Sequence, residues 1–196
     1  MPEQQTLNPI TTVDATTLWA IRTWAGASHI HARVPDEYVP DPMNPYMLRW
    51  FVQRKFRLLD AQCATWLNEL WQFHDRPLEN AYLHVFRRSD EDRALHDHPW
   101  SWLTVLLEGS YWEHIPADPR DPAGETVRRH RTAGDVVARG DAAHPHRIEL
   151  IDGQPVTTLF LTALKFREWG FWCERGWRHW EDFTALDAHG NSSGCG

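Results

Sequence analysis

The sequence has few cysteines: Cys63, Cys173 and Cys195 are the only three among 196 residues. Their number is odd and no two of them are spaced as C-x-x-C, so the sequence does not favour a disulfide framework. Proteins without such a framework are typical of reducing compartments. We therefore expect a cytoplasmic protein.

Long apolar runs and excess positive charge are also missing. No apolar run approaches the roughly 18 residues that a transmembrane helix needs, and the polar segment 1–14 lacks the features of a secretory signal. The 20 Lys and Arg residues are outnumbered by 27 Asp and Glu residues, which gives a net charge of −7. The short basic patch Arg128–Arg131 is best explained as a solvated turn or strand edge. We therefore expect neither nucleic acid nor a membrane as a partner.

The N-terminal part of the chain shows helical patterns and a proline-rich segment. Asp14 is a plausible start of a first helix, and residues 59–73 carry a second apolar stripe at helical spacing. Residues 34–45 hold four prolines and must be loop or extended chain. Residues 46–56 are apolar and fit either a strand or a helix. We assign residues 1–77 to an N-terminal arm and helical extension.

After Pro77 the chain becomes a series of short, strand-like runs separated by turn signals. Many short strands with almost no helix between them predict an antiparallel sandwich or barrel. We assign residues 78–185 to this β unit and residues 186–196 to a flexible tail. The predicted strands are 81–88, 96–109, 110–116, 125–131, 134–140, 146–151 and 156–172.

Two histidines, His96 and His98, stand one residue apart at the head of a predicted strand. Alternate side chains of a strand face the same side, so both imidazoles point one way and Asp97 points the other way. Two neighbouring imidazoles are a suitable start for a metal site, because each ring nitrogen binds an ion at about 2.0–2.1 Å. The alternative is a hydrogen-bonded histidine pair in a turn.

A second H-x-H, His144–Pro145–His146, supplies the third ligand that such a site needs. The two stretches together resemble the cupin superfamily, whose first motif has the form G-x5-H-x-H-x3–4-E-x6-G and whose second motif begins with G and ends near a histidine. Here the first motif is matched by His96, His98 and Gly109. The second is matched by GDVV at residues 134–137 and by PHR at residues 145–147.

The resemblance implies a mainly β, cupin-like double-stranded β-helix, or jelly-roll barrel, with the helical extension at its N-terminus. It implies metal ligands at His96, His98 and His146, with His144 as the rival third ligand, as a hydrogen-bond partner of a ligand, or as a base. The motif-one glutamate is absent, since Trp102 stands at its position. Glu113, on the next strand, is a candidate replacement carboxylate or acid/base. Trp100 and Trp102 continue the two-residue spacing of His96 and His98, so on a strand their side chains face the same side. The two indoles therefore line either a pocket or the core.

The resemblance also implies a mononuclear metal-dependent enzyme acting on a small molecule. An Fe(II) dioxygenase is favoured, because three histidines leave positions open for substrate and O₂. One alternative is an isomerase, lyase or hydrolase that uses Zn, Mn or Ni as a Lewis acid, with His144 or Glu113 as acid/base. Another is a cupin that binds a small ligand without catalysis. Apolar edge strands favour a homodimer.

Overall fold

The protein is described by a computed structural model covering residues 11–39, 43, 45–54, 69–72, 74–90, 94–186 and 192–196. In the described part of the chain, the bounded elements are twelve strands, two α-helices and two 3-10 helices. The helices are α1 (Ala15–Trp24), α2 (Trp180–Thr184) and the 3-10 helices Ala27–Ala32 and Ile151–Gly153. The strands are β1 (Glu37–Val39), β2 (Met47–Arg54), β3 (Asn80–Phe86), β4 (Leu95–His96), β5 (Trp102–Glu108), β6 (Ser110–Pro116), β7 (Thr126–Thr132), β8 (Val136–Arg139), β9 (Arg147–Leu150), β10 (Val156–Thr162), β11 (Gly170–Cys173) and β12 (Gly176–His179).

Helix α1 begins where the sequence predicts it. The Asp14 side chain accepts a hydrogen bond of 2.7 Å from the backbone N–H of Thr17, which satisfies one of the free donors of the first turn. Ile21 is fully buried, and Leu18 and Trp24 pack beside it against the same core cluster. This apolar face holds the helix on the outer side of the main sheet.

The main sheet has six strands in the order β1-β2-β3-β10-β5-β8, and all of its pairs are antiparallel. Side chains alternate between its two faces. On β3, Leu83 and Val85 pack into the cluster that contains α1, whereas Tyr82 and Phe86 belong to clusters on the opposite face. Strand β10 is buried along its whole length, because both of its faces are covered.

A second layer covers the inner face of this sheet. Two three-stranded sheets, β12-β11-β4 and β7-β6-β9, are joined by an isolated antiparallel bridge between His96 and His146. Tyr111 and Ile148 of this layer pack with Met47 and Leu106 of the main sheet. The fold is thus an antiparallel β-sandwich with a small helical extension, which confirms the predicted mainly β architecture.

Two predicted strands are shorter than the patterns suggest. The run 96–109 breaks into β4 and β5 because Pro99 has no N–H, and because the N–H groups of Asp97 and His98 donate to Gly170 and Ala142 instead. The run 156–172 likewise ends at Thr162 and resumes at Gly170. Residues 46–56 are strand rather than helix over the span of β2.

Other expectations have mixed outcomes. The predicted helix 59–73 lies almost entirely outside the described residues. The division at residues 77/78 and 185/186 stays a prediction, although β1 and β2 pair into the main sheet. The expectation that no disulfide forms is wrong, because Cys173 and Cys195 are bonded to each other. Among the described residues, no helix is long and apolar enough to span a bilayer.

Candidate metal site

Backbone pairing brings the two H-x-H stretches together. The N–H of His96 donates to the carbonyl of His146, and the N–H of His146 donates to the carbonyl of His96, both at 2.9 Å. His98 lies two residues further along, and its N–H donates to Ala142. The ring centroids of His96 and His98 are 5.2 Å apart and lie 5.0 and 5.1 Å from that of His146, so the three rings meet in one place.

The three imidazoles form one cluster. Each offers a ring nitrogen, and these atoms all lie within 4.8 Å of one another. The Nε2 atoms of His98 and His146 are 2.9 Å apart. Two ligand atoms held at right angles on an ion at about 2.1 Å would be roughly 3.0 Å apart. The donor set and its spacing therefore fit a single divalent ion.

Burial keeps the first pair of histidines neutral. It lowers the pKa of His96 to about 4, with Asp90 opposing the shift and His146 adding to it. Burial also lowers the pKa of His98 well below its usual range, and the neighbouring His146 and His96 lower it further. Neutral imidazole is the form that binds a metal, so no deprotonation is needed near pH 7.

Glu113 lies behind His146 rather than in the cavity. Its Oε1 atom is 3.3 Å from Nδ1 of His146. Arg139 donates to Oε1 at 3.0 Å, and Arg131 donates twice to Oε2. Burial alone would raise the pKa of Glu113, but the His146 hydrogen bond and the two arginines outweigh it and lower the pKa to about 2. A carboxylate on Nδ1 leaves Nε2 of His146 free to bind a metal.

Two aspartates flank the histidine pair in different ways. Asp90 Oδ2 is 3.7 Å from Nδ1 of His96 and accepts the N–H of Ile148 at 2.7 Å. Asp97 is fully buried and points away from the cluster. It accepts hydrogen bonds from the backbone N–H of Gly170 and from Arg167.

The cluster forms part of the wall of a cavity between the two layers. Its volume is about 80 Å³. One water needs roughly 10–15 Å³ in such a space, so the cavity holds a few waters or a molecule of a few heavy atoms. Its lining residues are Tyr46, Met47, Arg49, His84, Phe86, Asp90, His96, His98, Trp100, Trp102, Thr104, Tyr111, His146, Ile148, Thr158 and Phe160.

The indole of Trp102 stands where the superfamily motif has a glutamate. Its ring centroid lies 4.8 Å from that of His146 and 5.1 Å from that of His98. Trp100 lines the same cavity, so both indoles lie on the side of the histidines, as the two-residue spacing predicts. The candidate ligands are therefore three imidazoles beside an apolar wall, without a carboxylate from the first motif.

The alternative third ligand, His144, is half-buried and does not line the cavity. The geometry thus favours His146 among the two. Neither His144 nor Glu113 lies where it would touch a molecule in the cavity, so their catalytic role stays a prediction that the geometry does not support. Ligation of an ion by His96, His98 and His146 also stays a prediction until metal is measured.

Sequence reasoning missed the polar residues on the main sheet. Arg49 and His84 line the cavity, and Arg49 Nε donates to Nε2 of His84 at 3.0 Å. A signal was present: on β2 the inward positions are Met47, Arg49 and Phe51, so a cation interrupts an apolar face. Thr158 gave no such signal, because β10 is apolar or Thr throughout.

The fold and the site together define an antiparallel β-sandwich with a candidate three-histidine metal centre. No family model matches the sequence, and no curated protein matches it significantly.

Several solved structures are similar in chain path. One is the polyketide cyclase RemF from Streptomyces resistomycificus, with 16% identity, 67% of this chain and 75% of that chain covered, and a TM-score of 0.42. Another is oxalate decarboxylase from Bacillus subtilis, with 14% identity, coverage of 72% and 30%, and a TM-score of 0.42. Vicilin from Corylus avellana has 12% identity, coverage of 65% and 31%, and a TM-score of 0.41. The chain spans under a third of the length of this oxalate decarboxylase and of vicilin. The function proposed for it rests on the residues of the site.

Proposed function

We propose that the protein is a mononuclear metal-dependent enzyme that acts on a small molecule, and that it is an Fe(II) dioxygenase. The observation that carries the proposal is the convergence of His96, His98 and His146 within 4.8 Å on the wall of a small cavity. Three neutral ligands leave coordination positions open for a substrate and for O₂. Iron, when bound, supplies the activation of O₂.

The residues of the chain supply binding, orientation and exclusion of water. Glu113 fixes the ring of His146 through Nδ1, and the backbone bridge fixes His96 relative to His146. Trp102 and Phe160 pack at 5.5 Å between ring centroids and keep one wall apolar. A small substrate is therefore held close to the histidines with little bulk water around it.

The first test compares the two histidines of the second motif. The protein is loaded with Fe(II) in the absence of oxygen and then desalted. We expect it to retain about one ion per chain, as measured by elemental mass spectrometry. His146→Ala should lose that ion, because only two imidazoles remain. His144→Ala is the matched control and should retain it. Equal retention by both variants would remove His146 from the ligand set.

The second measurement separates the reactions. We expect O₂ uptake that depends on Fe(II) when small thiols or aromatic acids are added. Stoichiometric zinc in natively expressed protein, with no O₂ uptake, would instead favour a Lewis-acid isomerase, lyase or hydrolase. If no metal co-purifies and His96→Ala changes no measurable property, the protein binds a ligand without catalysis. Purification on a nickel column must be avoided, because nickel binds such sites more tightly than iron.

The proposed partner is a small-molecule substrate, with neither nucleic acid nor membrane. A homodimer is also proposed, and light scattering should then give about twice the 22.9 kDa of one chain.

A further inference from the structure

The main sheet carries a row of polar side chains across the cavity, away from the three histidines. In the strand register, Arg49 on β2 pairs with His84 on β3, and His84 pairs with Thr158 on β10. All three line the cavity. They come from three adjacent strands, and paired residues on adjacent strands have their Cβ atoms about 5 Å apart.

The guanidinium of Arg49 reaches over its neighbours on β3. Its Nε donates to His84 at 3.0 Å, and its Cζ atom is 5.2 Å from the ring centroid of Tyr82. The His84 ring is stacked on Phe160 at 5.1 Å, and Phe160 lies 5.9 Å from His98. The charge of Arg49 therefore lies on the cavity wall that leads, through His84 and Phe160, to the histidine cluster.

The donors of this row are only partly used. Arg49 has five N–H donors, and the described residues give it two acceptors, His84 and Glu37 at 2.8 Å. The Thr158 side chain is 2% exposed, and its hydroxyl has no hydrogen-bond partner among the described residues. A buried hydroxyl without a partner costs free energy unless a ligand or water satisfies it.

A carboxylate is the ligand that satisfies both groups. It accepts from a guanidinium in two parallel hydrogen bonds and has lone pairs left for a hydroxyl. Glu37 already pairs with one edge of Arg49 but is partly exposed, so much of its charge is screened by solvent. The other carboxylate on the cavity wall, Asp90, accepts the N–H of Ile148 and lies beside His96, so it does not occupy the remaining donors of Arg49 among the described residues.

We propose that Arg49 and Thr158 bind the carboxylate of the substrate, with its other end directed at the three histidines. This inference deepens the proposed function, on which it rests, by assigning the substrate to small carboxylic acids. The cavity of about 80 Å³ limits the acid to a few heavy atoms.

The test uses propionate and its neutral isostere propionamide as probes. Binding to protein treated with a chelator is followed by NMR shifts of the indole N–H signals, since Trp100 and Trp102 line the cavity. Propionate is expected to bind at least tenfold more tightly than propionamide. Arg49→Met should abolish that difference, and Thr158→Val should reduce propionate affinity several-fold. Arg22→Met, on α1 outside the cavity, is the matched control and should retain wild-type affinity.

Because the chelated protein holds no metal, the two proposals fail separately. Loss of metal binding with intact propionate preference would contradict the enzyme proposal only. The carboxylate site would be overturned by equal affinity for propionate and propionamide, or by an Arg49→Met variant that keeps the wild-type preference for propionate. It would also be overturned if chloride displaced propionate as well as propionate itself does. Should Arg49→Met fail to fold by circular dichroism, the ligand pair and Thr158→Val decide the matter.

Discussion

At the scale of single residues, β6 carries one member of each of two Glu–His pairs, and the other members lie on β9 or directly before it. Glu113 and His146 face the inside of the sandwich, and Glu113 is fully buried. His114 and Glu149 face the outside, 2.5 Å apart, and Glu149 is partly exposed. Only the inner pair connects to the histidine cluster, so only that pair is expected to affect metal binding.

Glu113→Gln is expected to weaken metal affinity about 10- to 100-fold, because a neutral amide orients and polarises His146 less than a carboxylate does. Affinity is measured by competition with a chromogenic chelator, after circular dichroism has shown that the variant is folded. Glu149→Gln makes the same change on the outer pair and should keep wild-type affinity. Unchanged affinity in a folded Glu113→Gln protein would show that this carboxylate has no positioning role.

At the scale of elements, Asp97 joins β4 to the β11–β12 hairpin. Its carboxylate accepts hydrogen bonds from the backbone N–H of Gly170 at 2.8 Å, from Trp177 Nε1 at 3.0 Å and from Arg167 at 3.1 Å. Arg167 also donates to the carbonyl of His98. The residue between the two motif histidines is thus what fixes their strand against the aromatic C-terminal segment.

Asp97→Ala is expected to lower the free energy of unfolding by about 3–5 kcal/mol, because it leaves Arg167 and two N–H donors without their buried acceptor. Urea denaturation of chelated protein measures the change. Asp118→Ala removes an exposed partner of Arg120 and should change the free energy of unfolding far less, because solvent screens that pair. A similar small loss in both variants would contradict the structural role of Asp97.

At the scale of the whole molecule, the Cys173–Cys195 disulfide ties the end of the chain to β11. Residues 192–196 also hydrogen-bond to the body, with Ser192 donating to Phe183 at 2.6 Å and Arg178 donating to Gly194 at 2.6 Å. Disulfides persist mainly in oxidising surroundings. The cytoplasmic location stays a prediction, and this bond counts against it.

Reduction of the disulfide is expected to lower the free energy of unfolding by about 3 kcal/mol, because the bond closes a loop with a sequence separation of 22 residues. Denaturation with and without reductant measures it, and Cys195→Ser should match the reduced protein and no longer respond to reductant. Thiol titration of unfolded, unreduced protein should find one of the three cysteines free. Three free thiols would contradict the bond.

Local sequence determined the elements and much of the cluster. Alternation fixed which side chains of each strand share a face, so β6 spans the predicted residues 110–116, and His96 and His98 point together. The acceptor side chain of Asp14 fixed the start of α1. These outcomes depend on neighbours within a few residues, which is the range over which backbone geometry acts.

Tertiary structure decided which distant residues meet. The approach of His146, rather than His144, to His98 depends on strand pairing across 48 residues. The contact between Arg49 and His84 depends on pairing across 35 residues, and Glu113 faces His146 only because β6 lies beside β9. A shift of one residue in any of these registers would turn the side chain to the other face of its sheet. No local pattern encodes that register, so the cavity and its ligand set emerge only when the two layers pack.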